Sequence, residues 1–268
     1  MSSKSLATIT AANKAAWDAS APLHQRGDEW ERLVRDAAQP GFSVLDAHLT
    51  KALSALDLTG KTAVQIGCNN ARELLSLAAL GITPALGIDQ SGAFLAQAKI
   101  LAQSAGQTPK LVEADIYDLP KGLGTFDLAL ITIGVLNWMP DLNAFFRVVA
   151  SLLNPSGHLV IYETHPVMEM FDPDSATPHQ PAFSYFKTTP HEVNGLISYD
   201  GTDHGAGAPG YWFQHTLGGI VTSAVAVGLA ITSLQEFGHT IREPEYDIYE
   251  GRHAQIPMSF LLVAQKAA

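Results

Sequence analysis

The sequence predicts an α/β protein built on a doubly wound, mostly parallel sheet, and three observations carry that expectation. Short apolar runs at 62–66, 84–88, 109–113, 126–132 and 157–163 alternate with segments of helical spacing at 71–80, 91–104 and 141–153. Such alternation implies right-handed strand–helix–strand crossovers. The first run ends abruptly at Gly67, and the second ends in an acid, Asp89, 22 residues further on.

Before the first strand, Ala7 to Ala19, Asp28 to Ala38 and Val44 to Leu56 read as helices. The last has Val44, Leu45, Leu49, Leu53 and Leu56 on one face, the stripe of an amphipathic helix. Ser20 to Gly27 is an irregular turn. Trp17, His24 and Trp30 are candidates for a lid over a pocket, although tryptophans at such positions also serve to anchor helices on a core. Lys61 to Leu75 then reads as a buried strand, a turn and the first turn of a helix. Val64 and Ile66 belong to an apolar run covered on both faces. Asn69 and Asn70 are turn residues that tolerate left-handed backbone angles. From Ala71 on, Leu74, Leu77, Ala78 and Leu80 form one stripe.

A strand, a glycine turn and a helix place backbone N–H groups at the carboxyl edge of a sheet, where a nucleotide-like ligand approaches closely. Asp89, at the end of the second strand, is placed to accept hydrogen bonds from both ribose hydroxyls; it would equally suit a cap for the next helix, as would Ser91. Asp115 falls just past the third strand at the same edge. Its carboxylate suits an adenine amino group, with Ile116 or Tyr117 packing on the ring, or else a turn before Leu119-Pro120. The fourth strand runs into Ile133-Gly134-Val135-Leu136-Asn137-Trp138, where Gly134 permits close backbone approach and apolar neighbours suit a pocket floor.

Composition narrows the class. Of 268 residues 47% are hydrophobic, ample for one sizeable core and an appended subdomain. The net charge is −10 with no Lys/Arg-rich run, so no nucleic-acid partner is expected. A single cysteine, Cys68, excludes an internal disulfide and a multi-cysteine zinc site. Met1 to Thr10 has neither the basic nor the long apolar region of a signal peptide, and Val221 to Ile231 is too short to span a bilayer. A cytoplasmic protein without a membrane partner is the expectation.

Five segments taken in order resemble the motifs of class I S-adenosylmethionine-dependent methyltransferases: Val64-Gln65-Ile66-Gly67-Cys68, Gly87-Ile88-Asp89, Ala114-Asp115-Ile116, Phe126-Asp127-Leu128 and Leu152-Leu153-Asn154-Pro155-Ser156-Gly157-His158-Leu159. The resemblance covers roughly residues 60 to 165. It implies a Rossmann-like, seven-stranded sheet with an antiparallel last strand, and S-adenosylmethionine as cofactor, leaving S-adenosylhomocysteine. Gln65, Gly67, Cys68, Asn69, Asn70, Glu73, Asp89, Gln90, Asp115, Ile116, Ile133 and Gly134 are then the residues expected around it. The family usually carries an acid where Gln65 stands and glycines where Asn69 and Ala71 stand. Asn adopts the left-handed conformation at modest cost, Ala71 adds one methyl group, and Arg72 or Glu73 is available to compensate. Cys-Asn-Asn-Ala-Arg-Glu-Leu-Leu-Ser-Leu looks like a variant found in a subgroup of bacterial methyltransferases.

Four regions follow: an N-terminal helical cap (1–58), the cofactor-binding core (59–165), an inserted lid rich in aromatics and histidine (166–213), and a completion of the sheet (214–268). The lid carries Phe171, Phe183, Tyr185, Phe186, Tyr199, Tyr211, Trp212 and Phe213; long irregular insertions at this edge are usually functional. Phe183 to Lys187 and Gly195 to Tyr199 are expected to pair as a small sheet. Gln214 to Leu229 reads as a helix, with strands at 231–237 and 257–265. The polar segment 238–256, with Glu243, Glu245, Tyr246, Asp247, Tyr249, Glu250, Arg252 and His253, is a candidate to reach the acceptor.

The expected reaction is methyl transfer to an O or N atom of a small-molecule metabolite by in-line displacement, which needs mostly positioning and a dry pocket. A general base helps when the acceptor starts protonated. His165, His215 and Glu163 are the candidates, followed by His24, and each histidine would equally serve as a hydrogen-bonded structural residue. Trp17, His24, Trp30, Trp138, Tyr185 and Tyr211 are the candidates for holding the acceptor. Ten histidines lack a short paired spacing, and Asp200, Asp203 and His204 make only a weak cluster, so no metal is expected. A homodimer is left open. A nonenzymatic S-adenosylmethionine-binding protein is one alternative. A nicotinamide-dependent oxidoreductase is another, against which the missing Gly-x-Gly-x-x-Gly argues.

Overall fold

The computed structural model describes residues 4–198, 202 and 204–268. Its centre is a seven-stranded sheet of order β3-β2-β1-β4-β5-β9-β8, with β1 (Thr62–Ile66), β2 (Thr83–Asp89), β3 (Lys110–Glu113), β4 (Phe126–Thr132), β5 (Leu153–Thr164), β8 (Leu229–Phe237) and β9 (Ser259–Lys266). The first five are parallel, and β9 pairs antiparallel with both β5 and β8. The chain leaves β1 towards β2 and β3, then returns to its other side for β4 and β5. The carboxyl ends of β1 and β4 therefore flank a topological switch point, where ligands bind in open sheets of this kind.

Side chains alternate across the strands and feed two cores. Ala129, Ile131, Leu159 and Ile161 pack on one face with Phe145, Phe146 and Val149 of α6 (Leu142–Ser151) and Ile220 of α7 (Leu217–Val225). Leu128, Leu130 and Val160 pack on the other with Leu49 and Leu53 of α3 (Ala47–Ser54), Leu74 of α4 (Arg72–Ser76) and Leu95 of α5 (Gly92–Ser104). Phe145 and Phe146 are fully buried, each stabilising the fold by about 1.5–3 kcal/mol relative to exposure. Side-chain caps fix the starts: Ser5 of α1 (Leu6–Ser20), Asp46, Ser91, Asp141 and Thr216 each accept the N–H three residues on. Trp30 of α2 (Gly27–Ala37) packs with Leu33, Val34 and Leu101 in a separate cluster.

Several elements differ from the sequence reading. The small sheet pairs β6 (His191–Gly195) with β7 (Ala206–Trp212), antiparallel, instead of 183–187 with 195–199; Tyr199 lies outside the described residues. Phe183 to Lys187 is a turn, closed by Lys187 N–H on the Ser184 carbonyl and Phe186 N–H on the Ser184 hydroxyl. Its Phe183 ring packs edge-on against His191. The strand at β7 was hidden because its glycines are demanded by close neighbours: a Cβ on Gly210 would lie 3.1 Å from Trp138 and 3.3 Å from Ala16. The helix expected from 214 begins only after the Thr216 cap. The expected segment 157–163 is the second part of β5, whose pairing skips from Leu153 to His158 around Ser156 in the left-handed conformation.

α1 lies across the carboxyl edge and packs on β7. Asn13, 1% exposed, fixes it: its amide donates to the carbonyls of Trp138 and Tyr211, and its oxygen accepts from Tyr211 N–H at 2.7 Å. Among the described residues no helix is long and apolar enough to cross a membrane. Replacing Asn13 by Leu leaves Tyr211 N–H and two carbonyls without partners, at about 1–3 kcal/mol for a buried group. Thermal unfolding of Asn13→Leu should fall by about 2–4 °C per kcal/mol; an unchanged Tm would mean that this clamp does not hold the cap.

Candidate functional site

The cavity at the switch point has a volume of about 550 Å³, within the usual size of a cofactor or substrate pocket. Its floor starts with the turn after β1, where Gly67, Asn69 and Ala71 alternate in the left-handed region at φ 64°, 50° and 62°. Asn and Ala thus take the conformation glycine would supply, and for Ala71 this costs about 1–2 kcal/mol. Gly67 cannot be substituted quietly, since a Cβ would lie 2.6 Å from Val135 Cγ2. Gln65 ties the turn to its neighbours: its Oε1 accepts Leu74 N–H in the first turn of α4, and its Nε2 donates to Thr132. Cys68 and Asn70 are buried and outside the lining. Cys68 Sγ sits over Gly87, where a Cβ would lie 2.9 Å from it, and burial pushes its thiol pKa well up.

Asp89 joins this turn to the second edge. Its carboxylate accepts Asn69 N–H at 2.7 Å and Ser91 N–H at 2.8 Å. Burial nevertheless raises its pKa to about 6, against those two donors. Gln90, Asp115 and Ile116 continue the lining, and Asp115 accepts Tyr117 N–H at 3.0 Å. Lys14 of α1 reaches down to the Gln90 carbonyl and to Glu113, both at 2.8 Å, and Asp18 accepts from Ser91 Oγ at 2.6 Å. The cap is thereby strapped to the ends of β2 and β3.

Beside β1, the chain leaves β4 through two left-handed residues, Ile133 at φ 36° and Gly134 at φ 86°. A β-branched residue there is strained. What over-determines this turn is Glu163, 1% exposed, whose carboxyl accepts Gly134 N–H and Leu136 N–H, with Val135 N–H contributing. Ile133 and Gly134 line the cavity, while Glu163 lies beneath them, outside the lining. Burial raises its pKa to about 7.

Above the floor, Trp17 packs edge-on against Trp138 at 5.4 Å, and Trp138 against Trp212 at 5.1 Å. The loop after β8, through the short helix Pro244–Tyr249, brings in Arg242, Glu243, Glu245 and Tyr246. Glu73 forms ion pairs with Arg72 at 3.1 Å and Arg242 at 2.8 Å, which hold its carboxyl below the usual range against strong desolvation.

The remaining expected residues lie outside this lining. His24 bonds the Ile197 carbonyl at 2.9 Å and packs on Phe94, and Trp30 sits among α2 and α5. Tyr185 accepts Leu217 N–H, and Tyr211 carries Lys4. His165 has Nε2 2.9 Å from Glu236 and Nδ1 accepting Val167 N–H. His215 Nε2 donates to the Met139 carbonyl at 2.8 Å, and burial lowers its pKa. Asp200 and Asp203 lie outside the described residues, among which no group of three or more His, Cys, Asp and Glu side chains is arranged to hold a metal ion. Thr10, Asn13 and Arg242 line the cavity without having been expected there; Asn13 and Lys14 are the two polar side chains among the alanines at 11–16.

Residues 64–161 match the family model of the methyltransferase domain. Over that segment the chain is similar to the methyltransferase domain. No curated protein matches the chain by sequence. Among solved structures, an S-adenosylmethionine-dependent methyltransferase from Mesorhizobium loti is similar at 22% identity, over 81% of this chain and 96% of that one, with a TM-score of 0.55. One from Clostridium acetobutylicum is similar at 12% identity, over 84% and 94%, with a TM-score of 0.58. Magnesium protoporphyrin IX methyltransferase from Synechocystis, with bound S-adenosylhomocysteine, is similar at 16% identity, over 97% and 98%, with a TM-score of 0.54. These likenesses concern the fold.

Glu163 offers a direct test of the floor. Glu163→Leu strands buried N–H groups at about 1–3 kcal/mol each and should lower Tm and weaken S-adenosylhomocysteine binding at least tenfold, with Glu163→Gln intermediate. Unchanged Tm and affinity with lost turnover would instead assign the carboxyl to the chemistry itself.

Proposed function

We propose that the protein transfers a methyl group from S-adenosylmethionine to an O or N atom of a small-molecule metabolite in the cytoplasm. The observation that carries the reading is the Asp89 carboxylate, which lines the cavity beside the left-handed turn and keeps lone pairs beyond those taken by Asn69 and Ser91. In this reading the ribose hydroxyls donate to Asp89, while Asp115 and Ile116 take the adenine edge and face. The turn at 67–71 and the Glu73–Arg72–Arg242 group take the amino-acid end. The bound cofactor supplies an activated methyl on a positively charged sulfur. The chain's own part is orientation and exclusion of water. Ile133 and Gly134 form the wall beside the reacting centre, and α1 with Trp17, Trp138 and Trp212 closes the space above. This enclosure supports a small acceptor, and the net charge of −10 argues against nucleic acid.

A nonenzymatic S-adenosylmethionine binder is favoured only by the absence of glycine at Asn69 and Ala71. That turn is nonetheless closed by Ala71 N–H on the Cys68 carbonyl and Asn69 N–H on Asp89.

Calorimetry tests the cofactor assignment. S-adenosylhomocysteine should bind in the micromolar range and NADH should not. Only ionised Asp89 accepts from both ribose hydroxyls, and its pKa in the free protein is about 6. Affinity should therefore be level above that pH and fall roughly tenfold per unit as pH drops below it. Asp89→Asn should bind at least tenfold more weakly and lose this pH dependence. Full affinity in Asp89→Asn, or binding of NADH alone, would overturn the assignment.

A further inference from the structure

The side of the cavity bounded by Gly134, Trp212 and the 242–246 loop has a charge balance that the methyl donor does not explain. Glu243 and Glu245 line it with their carboxyl groups in contact. Glu169, 8% exposed, stands directly behind the wall and accepts Trp212 Nε1–H at 2.6 Å. Glu163 lies below. Among the described residues none of these four carboxyls forms an ion pair, since both arginines of the cavity are committed to Glu73. Lys187 acts on Glu169 only from a distance.

Desolvated carboxyls this close together repel one another, so they hold protons or acquire a cation. Burial and mutual repulsion push Glu243 well above the carboxylate range, and burial takes Glu163 and Glu169 to about 7. A cation entering here would relieve all of them, whereas an anion would meet several negative charges. The walls suit the same guest. Trp138, Trp212 and Tyr246 line the cavity on this side, and ring faces attract a desolvated cation by about 2 kcal/mol. The Tyr246 hydroxyl is kept neutral by burial beside Glu169, Glu243 and Glu245, so it remains a hydrogen-bond donor.

We propose that the acceptor is a primary or secondary amine on an aromatic or apolar body, recognised as its ammonium ion by Glu243 and Glu245 and methylated on nitrogen. The carboxyl pair has a second task. An ammonium has no lone pair for attack, so one N–H proton passes first to the Glu243–Glu245 pair, whose affinity for protons is already high. The freed lone pair forms the N–C bond as the C–S bond breaks with its electrons remaining on sulfur. The products are a methylated ammonium, a neutral thioether and one proton on the carboxyl pair, which returns to solvent.

This proposal rests on the methyl-transfer reading, and its test separates the two. Protein saturated with S-adenosylhomocysteine is titrated with benzylamine, phenethylamine and tryptamine and with the matching alcohols and carboxylates. At least one amine should bind tenfold or more tighter than its alcohol, with no binding of the carboxylates. Glu243→Gln/Glu245→Gln should erase that preference while holding S-adenosylhomocysteine within threefold of wild type. The amine that binds should release S-adenosylhomocysteine from S-adenosylmethionine on turnover, with kcat in the double variant reduced at least a hundredfold. No amine preference in the saturated wild type would overturn the proposal and leave the methyltransferase reading intact. Loss of S-adenosylhomocysteine from the double variant would also overturn it, because the carboxyls would then hold the cofactor's own ammonium. Failure of wild type to bind S-adenosylhomocysteine would instead defeat the underlying reading.

Discussion

The carboxylate of Asp89 is the joint on which this site depends. By accepting N–H groups from Asn69 and Ser91 it ties the turn after β1 to the end of β2 and the start of α5. Asn69 and Ala71 hold their left-handed angles without the usual glycines because that anchor, the Asn69 side chain and the Cys68 carbonyl satisfy the backbone donors of Asn69, Asn70 and Ala71 in turn. A buried N–H left open would cost about as much as the strain of the turn itself. Glu163 does for the turn after β4 what Asp89 does for the turn after β1. Two acids at the carboxyl edge thus hold two strained segments facing each other across the switch point, and the cavity is the space between them.

The same edge explains the distribution of charge. Glu73 draws Arg72 and Arg242 together, leaving cationic groups on one part of the wall. Glu243 and Glu245 keep another part acidic, with Glu169 behind it. In the reading proposed above, the cationic part takes the anionic end of the methyl donor and the acidic part is left to the acceptor. The amide of Asn13 and the Lys14–Asp18 strap hold α1 over this space, so the environment is shielded from bulk water and its electrostatic contrasts are strengthened.

The strands and the floor were legible in the sequence because each depends on local chemistry. A parallel strand covered on both faces must be an apolar run, and Gly67, Asp89 and Gly134 sit where such runs end. The segment Leu152 to Leu159, distinctive in sequence, lies at the opposite edge and is structural: Asn154 bonds Asp127, which also accepts Thr62 N–H. The small sheet of the lid was not legible. The run Ala206 to Gly210 lacks the residues that favour strands: Gly207 answers to the Gly195 backbone and Gly210 to Trp138 and Ala16 across space. His165 and His215 were attractive as bases from their positions near the end of β5 and after the lid. His165 accepts the N–H of Val167 two residues on and lies 2.9 Å from Glu236, and His215 bonds the Met139 carbonyl; Glu236 and Met139 are partners that only folding brings there.

The measurement that tests the account most directly is a crystal structure of the protein grown with S-adenosylhomocysteine. The account predicts the ribose hydroxyls within hydrogen-bonding distance of Asp89, the adenine against Ile116, and the sulfur facing the space between Gly134 and Glu243. A nucleoside seated elsewhere in the cavity, or a turn at 67–71 that rebuilds with Asp89 directed away from the ligand, would contradict it.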